Sequence, residues 1–587
     1  MSTQQQQDDG HIIMFPFMAQ GHLTRFIALA KFISQRKPNT KITFVTTPLN
    51  FRRLQPTLQT NNICLAELPF SSADHGLPPN TENCDSLPPH LIATLLYASK
   101  ALKPSFDNLI DEIIRAEKRV PSCIIFDFFF GWATETANRV GTPSFVFTPG
   151  GYGTAMMFSM WLHSPHRKNG DDSKELIEEF HVPKFPDACR LHISQLPSRL
   201  RDSNQEFTTY AEFYRMHISF SQKSDGMLCN SVEEIEVVGL EALRNLMEPK
   251  PVWPIGPLLP SFLLQGNQNK NNGCVASQSR TGKEFGISPE SCIEWLNHQK
   301  PSSVLFISFG SQNTISAPKM MELALGLEKS GKCFIWVLRP PSGFENTTEF
   351  KSEWLPEGFV ERMSQTKKGL LIKTWAPQLE ILCHRSTGAF LSHCGWNSVL
   401  ESLSQGVPII GWPLYAEQPY NSKMLQEEMG VSVQLAIGNE GELYSEDVKN
   451  VVKYVMDSSQ GEEMRNKATG IAEKIRAAMS EDIDEAGSHQ KGSTIKSIDD
   501  FLANVTSKKL SYESLSLVPA IICECLAKEY RLCSSMSAEV EHMTVRIQRI
   551  SLVLTIESAA PTLLSIQSNF ESTISSITLE LGLSPDY

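Results

Sequence analysis

Trp375-Ala-Pro-Gln-Leu-Glu380, His393-Cys-Gly-Trp-Asn-Ser398 and Ala416-Glu-Gln418 follow one another in a single passage whose reading decides the fold. Lys373-Thr-Trp375-Ala-Pro-Gln378 leaves a short apolar run, Leu370–Lys373, that reads as a strand. A second run, Gly388–Ser392, gives way to a Gly-Trp-Asn-Ser turn that opens a helix, and a third, Val407–Gly411, ends before Pro413. Strand, loop, helix and strand in this order form the unit of a parallel α/β layer. In such layers the loops leaving the carboxyl ends of the strands face the ligand crevice.

The residue types at those loops suit a nucleotide sugar. Trp375 offers a broad face on which a base can stack. Free N–H groups and the dipole at the helix start near Gly395 favour an anion, so a pyrophosphate fits there. Glu401 stands one turn beyond Asn397 on the same face, suited to accept from ribose hydroxyls. Glu417 and Gln418 can bracket the hydroxyls of a sugar. An ordinary α/β unit that merely contains a tryptophan, a histidine and a glutamate leaves this joint spacing unexplained.

The strand theme extends outward in both directions. His11–Met18, Lys41–Thr47, Cys123–Phe129 and Ser144–Thr148 read as buried strands, as do Ser303–Ser308 and Cys333–Leu338. Leu23–Ser34 carries Phe26, Ile27, Leu29, Ala30 and Ile33 on one helical stripe. Lys250-Pro-Val-Trp-Pro-Ile-Gly-Pro-Leu-Leu-Pro260 cannot continue a helix or a central strand, because each proline lacks an N–H. It reads as the linker between two Rossmann-like halves. The expected organisation is a disordered N-terminus (1–10), a first Rossmann-like domain (11–249), the linker (250–260) and a second Rossmann-like domain (261–506). The last helix of the second domain is a candidate to return to the first. Gln265–Lys283, rich in Asn, Gln, Ser and Gly, reads as a mobile surface loop. Residues 507–587 form a Ser- and Thr-rich extension of unknown role, with one marginal amphipathic pattern at Val540, Met543, Ile547 and Ile550.

The bulk properties narrow the function. A chain of 587 residues exceeds one core. A formal charge of −12 argues against nucleic-acid or anionic-membrane partners. The 13 cysteines are dispersed and lack metal-type spacing. That pattern fits a reducing compartment, so a cytoplasmic location is expected. Gln4–Gln7 and Asp8-Asp9 precede the first apolar run, which is no signal-peptide pattern. Ile550–Ile566 is interrupted by Glu557 and Pro561, so no run is long enough to span a bilayer. The chain is expected to act as a monomer.

Two residues of the first half invite acid–base chemistry. His22, in Phe15-Pro-Phe-Met-Ala-Gln-Gly-His22, lies at the carboxyl end of the first strand, where Gly21 permits a tight turn. Asp127 ends the apolar run Cys123–Asp127, and burying a carboxylate there requires a partner. Asp127 can accept a hydrogen bond from one nitrogen of His22, leaving the other as a base. The bland alternatives are that His22 merely sits at a helix start and that Asp127 caps the next helix.

Together, the Gly-His after the first strand, the mid-domain Asp and the full box resemble plant family 1 UDP-dependent glycosyltransferases and their secondary-product signature box. The likeness extends to Asp225-Gly-Met-Leu-Cys-Asn-Ser231, Trp253-Pro-Ile-Gly-Pro257, Cys292-Ile-Glu-Trp-Leu296, Val304-Leu-Phe-Ile-Ser-Phe-Gly-Ser311 and Gly492-Ser-Thr-Ile-Lys496. It covers about residues 10–506. The resemblance implies a GT-B fold, two Rossmann-like α/β domains facing across a cleft. It also implies that Trp375 stacks on uracil, with Ala376 and Gln378 beside it. Ser311, His393, Gly395, Asn397 and Ser398 would hold the phosphates and Glu401 the ribose. Trp396, Glu417, Gln418 and Thr148 would line the sugar, and the closing glutamine is associated with glucose donors. One position departs from the family: Arg25 replaces its common proline, placing a charge near the helix start or the pocket mouth. The tail beyond about Asn504 has no counterpart.

These readings give an inverting glycosyltransferase that moves a sugar, glucose first, from a UDP-sugar co-substrate to a hydroxyl of a small lipophilic acceptor. Flavonoids, other phenolics and terpenoids of plant secondary metabolism are the expected acceptors, and a β-glycoside the product. His22 is the expected base and Asp127 its partner. No cofactor or metal is required if helix N–H groups and His393 neutralise the leaving UDP. Asp482-Ile-Asp484 has the spacing of a metal-binding pair but reads as a solvated, acidic helical surface. Phe17, Phe128, Phe129, Trp132, Met157, Trp161 and Phe213 are the expected acceptor wall. The alternatives are transfer of galactose, xylose or rhamnose, a non-catalytic UDP-sugar-binding protein, or an NAD-dependent oxidoreductase. The last is disfavoured because Gln20-Gly21-His22 stands where a Gly-x-Gly-x-x-Gly belongs.

Overall fold

The computed structural model describes residues 10–58, 60, 62–168, 175–196, 198–201, 205–264, 284–344, 350–483 and 489–507. The expected N-terminal disorder (apart from Gly10), the loop 265–283, Asp484 and the amphipathic pattern at 540–550 lie outside these residues.

Among the described residues, nine strands precede the second domain: β1 (His11–Phe15), β2 (Lys41–Thr46), β3 (Ile63–Glu67), β4 (Cys123–Asp127), β5 (Ser144–Thr148), the small hairpin β6 (Glu179–His181) and β7 (Arg190–His192), β8 (Gly226–Cys229) and β9 (Val252–Pro254). All but the hairpin form one parallel sheet in the order β3-β2-β1-β4-β5-β8-β9. β10 (Val304–Ser308), β11 (Cys333–Leu338), β12 (Gly369–Lys373), β13 (Thr387–Ser392), β14 (Ile409–Gly411) and β15 (Ser432–Gln434) form the second, in the order β12-β11-β10-β13-β14-β15. The two sheets share a plan in which the strand order reverses beside the first strand.

Why these runs become strands follows from burial on both faces. β1 reads His-Ile-Ile-Met-Phe with every residue buried. Ile12 and Met14 join one apolar cluster, Ile13 and Phe15 the other. Continuous apolar runs of this kind are the signature of a parallel sheet covered by helices on both sides. One cover is the helix Gln20–Arg36, whose Leu23, Phe26, Ile27, Ala30 and Ile33 are buried at helical spacing. Each such side chain stabilises the fold by about 1.5–3 kcal/mol.

Several boundaries differ from expectation, each for a local reason. β1 stops at Phe15 because Pro16 follows, and β4 stops at Asp127, which caps a turn. The proline-rich segment 250–260 is more than a linker, since it supplies β9. That strand lies at the sheet edge, where prolines are tolerated. Asp482 lies in a two-stranded ribbon, Glu481–Ile483 paired with His489–Lys491, not in a helix. The preceding helix has already ended at Ala478.

The closing helix, residues 493–507, packs on the first domain. Ile498, Phe501, Leu502 and Val505 belong to the cluster of Ile12, Phe26 and Phe145. Phe501 meets Phe145 and Trp253 edge-on at 5.0 and 5.4 Å. The largest cluster is continuous between the domains, joining Tyr152, Phe158 and Leu240 to Trp396, Leu400, Tyr420 and Leu425.

Candidate active site in the interdomain cleft

His22 stands in the first turn of its helix, directly after β1, and Asp127 closes β4. These strands pair side by side, Phe15 opposite Phe126, at the point where the strand order reverses. The topology therefore delivers both side chains to one spot. His22 Nδ1 lies 2.7 Å from Asp127 Oδ2, with the imidazole a quarter exposed to the cleft. Asp127 Oδ1 accepts from the Phe129 N–H at 3.2 Å, so the carboxylate both partners the histidine and caps the turn Phe128–Phe130.

Arg25 is among the residues that line the cleft. It folds inward, with its guanidinium over the Phe147 ring at 5.5 Å, and only 4% of the residue is exposed. Arg25 Nη2 donates to Asp127 Oδ2 at 2.6 Å and lies 3.0 Å from His22 Nδ1. Burial alone pushes the Asp127 carboxyl upward. The charges of His22 and Arg25, with the hydrogen bonds from His22 and Phe129, outweigh it and hold the carboxyl below its usual range.

The second domain repeats the device. Gly310 and Ser311 follow β10 and His393 follows β13, two strands paired with Ser308 opposite Ser392. The His393 ring is seated between two glycines, and a Cβ on Gly310 or Gly395 would come within 2.6 or 2.4 Å of it. Burial, helped by Arg339, pushes its imidazole down to about 4, so the ring is neutral at pH 7. Its Nδ1 is buried without a protein partner. The helix Trp396–Ser404 begins at Gly395 with no side-chain cap there, and its first N–H, on Trp396, interacts with the Glu417 carboxylate.

Around this helix start the polar groups are already arranged. Gln378 Nε2 donates to Ser398 Oγ at 3.0 Å and to Glu401 Oε2 at 2.6 Å. The Arg339 guanidinium covers one face of Trp375 at 5.4 Å. Gln418 Oε1 accepts from the N–H groups of Leu414 and Tyr415 at 2.9 and 3.0 Å, closing the turn beneath it. Burial pushes the Glu417 carboxyl up, opposed in part by its own backbone N–H and by the charges of His22 and Arg25. Thr374, Cys394 and Ala416 each hold a positive φ (73°, 61° and 56°). Each immediately precedes a cleft residue, Trp375, Gly395 or Glu417, which places local strain at the ligand-facing turns.

The two walls are tied together. Asn397 Nδ2 donates to the Gly21 carbonyl at 2.9 Å, one residue before His22, and Trp396 Nε1 donates to the Asn230 carbonyl at 2.7 Å. Gly150 and Gly153 make room for this approach. A Cβ at Gly150 would lie 3.0 Å from the Trp396 ring, and one at Gly153 2.6 Å from Asn421 Oδ1.

Between the walls lies a cleft of about 500 Å³. His22, Thr148, Ser311, Trp375, Ala376, Gln378, His393, Gly395, Trp396, Asn397, Ser398, Glu401, Glu417 and Gln418 all line it. Asp127 lies behind His22, fully buried. On the first-domain side, Phe17, Phe128, Phe129, Met157 and Trp161 line the cleft, but Trp132 and Phe213 do not. Trp132 packs inward against Phe15, Phe106 and Phe130 at 5.6–5.7 Å. Phe213 turns to Tyr97 and His217 at 5.2 and 4.4 Å. Its neighbours Tyr210 and Tyr214, one turn apart on the same helix, line the cleft instead, with Tyr214 stacked on Trp161 at 4.8 Å. Tyr210, Tyr214, Asn313 and Arg339 were not anticipated. Arg339 carried the same signal as Asp127, a charge directly after a buried strand.

Two facing parallel sheets with a tryptophan, an open helix start and a histidine–carboxylate pair around one cleft define a sugar-nucleotide-dependent transferase of GT-B architecture. Residues 287–467 match the family described as UDP-glucoronosyl and UDP-glucosyl transferase, and residues 8–260 match the glycosyltransferase N-terminal domain. The chain is 38% identical over 508 residues to UDP-glycosyltransferase 92A1 of Arabidopsis thaliana, covering 85% of this chain and 98% of that one. It is 41% identical over 470 residues to crocetin glucosyltransferase 3 of Crocus sativus, covering 78% and 93%. A Glycyrrhiza uralensis UGT, crystallised with glycyrrhetinic acid 3-O-monoglucuronide, superposes with a TM-score of 0.72 at 27% identity, covering 88% and 99%. The chain belongs to the plant UDP-glycosyltransferase family, and it is an enzyme that uses a UDP-sugar and a small-molecule acceptor.

Proposed function

We propose that this glycosyltransferase moves glucose from UDP-glucose to an acceptor oxygen of a small lipophilic molecule, with inversion to a β-glycoside. The observation that carries the reading is the His22–Asp127 pair, 2.7 Å apart, held on one wall of the cleft and joined through Gly21 to the helix start on the other. In this reading Trp375 stacks on the uracil and Glu401, oriented by Gln378, takes the ribose hydroxyls. Ser311, Asn397, Ser398 and the helix N–H groups hold the pyrophosphate, with neutral His393 as a hydrogen-bond partner. Thr148, Trp396, Glu417 and Gln418 surround the sugar.

His22 Nε2 takes a proton from the acceptor hydroxyl as its oxygen attacks the anomeric carbon, and Asp127 holds the ring by Nδ1. The electron pair of the breaking bond leaves with UDP, whose charge is met by oriented N–H groups rather than by a required metal. The apolar wall of Phe17, Phe128, Phe129, Met157, Trp161 and Tyr214 suits flavonoid, phenolic or terpenoid bodies. The names of the relatives, one a glucosyltransferase, support glucose as the donor sugar. Among the described residues no helix is long and apolar enough to cross a membrane.

Purified protein incubated with UDP-glucose, UDP-galactose, UDP-xylose or UDP-rhamnose and a phenolic and terpenoid panel, with and without EDTA, tests the reading. UDP-glucose should be preferred, EDTA should have no effect, and the anomeric proton coupling should report a β-linkage. Preference for another sugar, loss with EDTA or an α-linked product would contradict it.

A further inference from the structure

We propose that Arg25 turns the His22–Asp127 pair into a charge-balanced trio that selects acceptors whose nucleophilic oxygen is already ionised or strongly acidic, carboxylates and acidic phenols, over aliphatic alcohols. The inference rests on the reading of His22 as the acceptor-side base and adds the acceptor class to it.

The argument is one of charge and of donors. A neutral histidine beside a buried carboxylate carries a net charge of −1, and taking a proton from an acceptor neutralises it. With Arg25 Nη2 at 2.6 Å from the same Oδ2, the trio starts neutral and ends at +1 when His22 gains that proton. Both charged partners are almost fully buried, where an uncompensated charge is costly. Arg25 thus weakens the drive to deprotonate an alcohol. It also removes the repulsion that a pair of charge −1 would exert on an anionic acceptor.

The hydrogen-bond pattern adds a second constraint. A guanidinium only donates, and Arg25 Nη2 lies 3.0 Å from His22 Nδ1. If Nδ1 donates to Asp127, it faces another donor at contact distance. If Nδ1 accepts from Arg25, the proton sits on Nε2 and the cleft meets a donor instead of a base. Arg25 Nε is buried without a partner, so the guanidinium is not satisfied within the protein. Other titratable groups whose fields reach the trio are Cys84, His217 and Cys229 from the first domain and Glu417 from the second. Burial raises both thiols and lowers His217 to about 4, leaving these three neutral at pH 7.

For a carboxylate or phenolate the step balances without a base. An oxygen lone pair forms the bond to the anomeric carbon, the bond from that carbon to the UDP oxygen breaks, and its electron pair leaves on UDP. For an alcohol, a proton must pass to His22 as well.

The test uses full-length protein, UDP-glucose and one apolar scaffold bearing a carboxylate, a phenol or a primary alcohol, chosen from scaffolds that wild type glycosylates fastest. Arg25→Met keeps the length and apolar contact of the side chain without its charge, and Arg25→Lys restores the charge. The ratio of kcat/KM for the carboxylate to that for the alcohol should fall at least about tenfold in Arg25→Met and recover in Arg25→Lys. UDP affinity should stay within about twofold, which separates this outcome from misfolding. An unchanged ratio, or wild type preferring the alcohol, overturns the proposal while leaving the glucosyltransferase reading intact. Wild-type transfer rates to the alcohol in His22→Ala overturn the underlying reading instead, and no transfer to any scaffold contradicts both.

Discussion

Asp127 supports three donors with one carboxylate: the His22 ring, the Arg25 guanidinium and the Phe129 N–H. Asp127→Asn should cost about 10²–10⁴-fold in kcat by freeing the His22 tautomer. It should also destabilise the fold by about 3–5 kcal/mol, because Arg25 is then buried without a counter-charge. Rate assays and urea unfolding measure the two losses separately. The carboxyl is held below its usual range, so the stability it adds is complete above that range. It fades as pH falls through the folded value, which an acid titration of wild type against Asp127→Asn will show. His22 and Asp127 were legible in the sequence because each stands at the end of an apolar run, and topology does the rest. The direction of Arg25 was not, since a long side chain in a helical turn can leave toward solvent or toward the core.

At the scale of elements, the helix start after β13 works because glycines let the flanking parts close in. Gly153→Val should clash with Asn421 and Glu417 and raise KM for UDP-glucose at least about tenfold, with little change in melting temperature. Steady-state kinetics across UDP-glucose concentrations check it. His393 is buried as a neutral ring, and its folded value of about 4 lies below the ordinary 6.5. As pH falls from 6.5 toward 4, the unfolded chain takes up a proton that the folded chain refuses. Stability should then drop by up to about 1.4 kcal/mol per pH unit, a slope that His393→Gln should remove in denaturant titrations. Except for β8, too short at four residues to be read as one, the central strands were legible as continuous apolar runs. β3, β9 and β15 were not, because they are sheet edges, short or half-exposed, and lack that pattern. Tyr210 and Tyr214 were missed for a related reason: on a helix buried on several sides, periodicity does not say which aromatic faces the cleft.

Across the whole molecule, the closing helix makes the first domain depend on the chain that follows the second. Phe501→Ala should destabilise the enzyme by about 3–5 kcal/mol, judged by thermal or urea unfolding, although Phe501 lies outside the cleft. A loss below about 1 kcal/mol would mean the helix adds little to that core. The two-sheet plan was readable from spacing and resemblance together, and so were the second-domain residues that line the cleft. The first-domain wall of the cleft was only partly readable, because it is assembled from many separate segments of the sequence. The central claim is that His22 activates the acceptor on one wall while the other wall presents the sugar. Single-turnover transfer from UDP-glucose to an alcoholic acceptor by His22→Ala, with UDP binding measured in the same preparation, tests it most directly. The account predicts UDP affinity near that of wild type and a transfer rate lowered at least about 10²-fold. Transfer at the wild-type rate with UDP bound would contradict it.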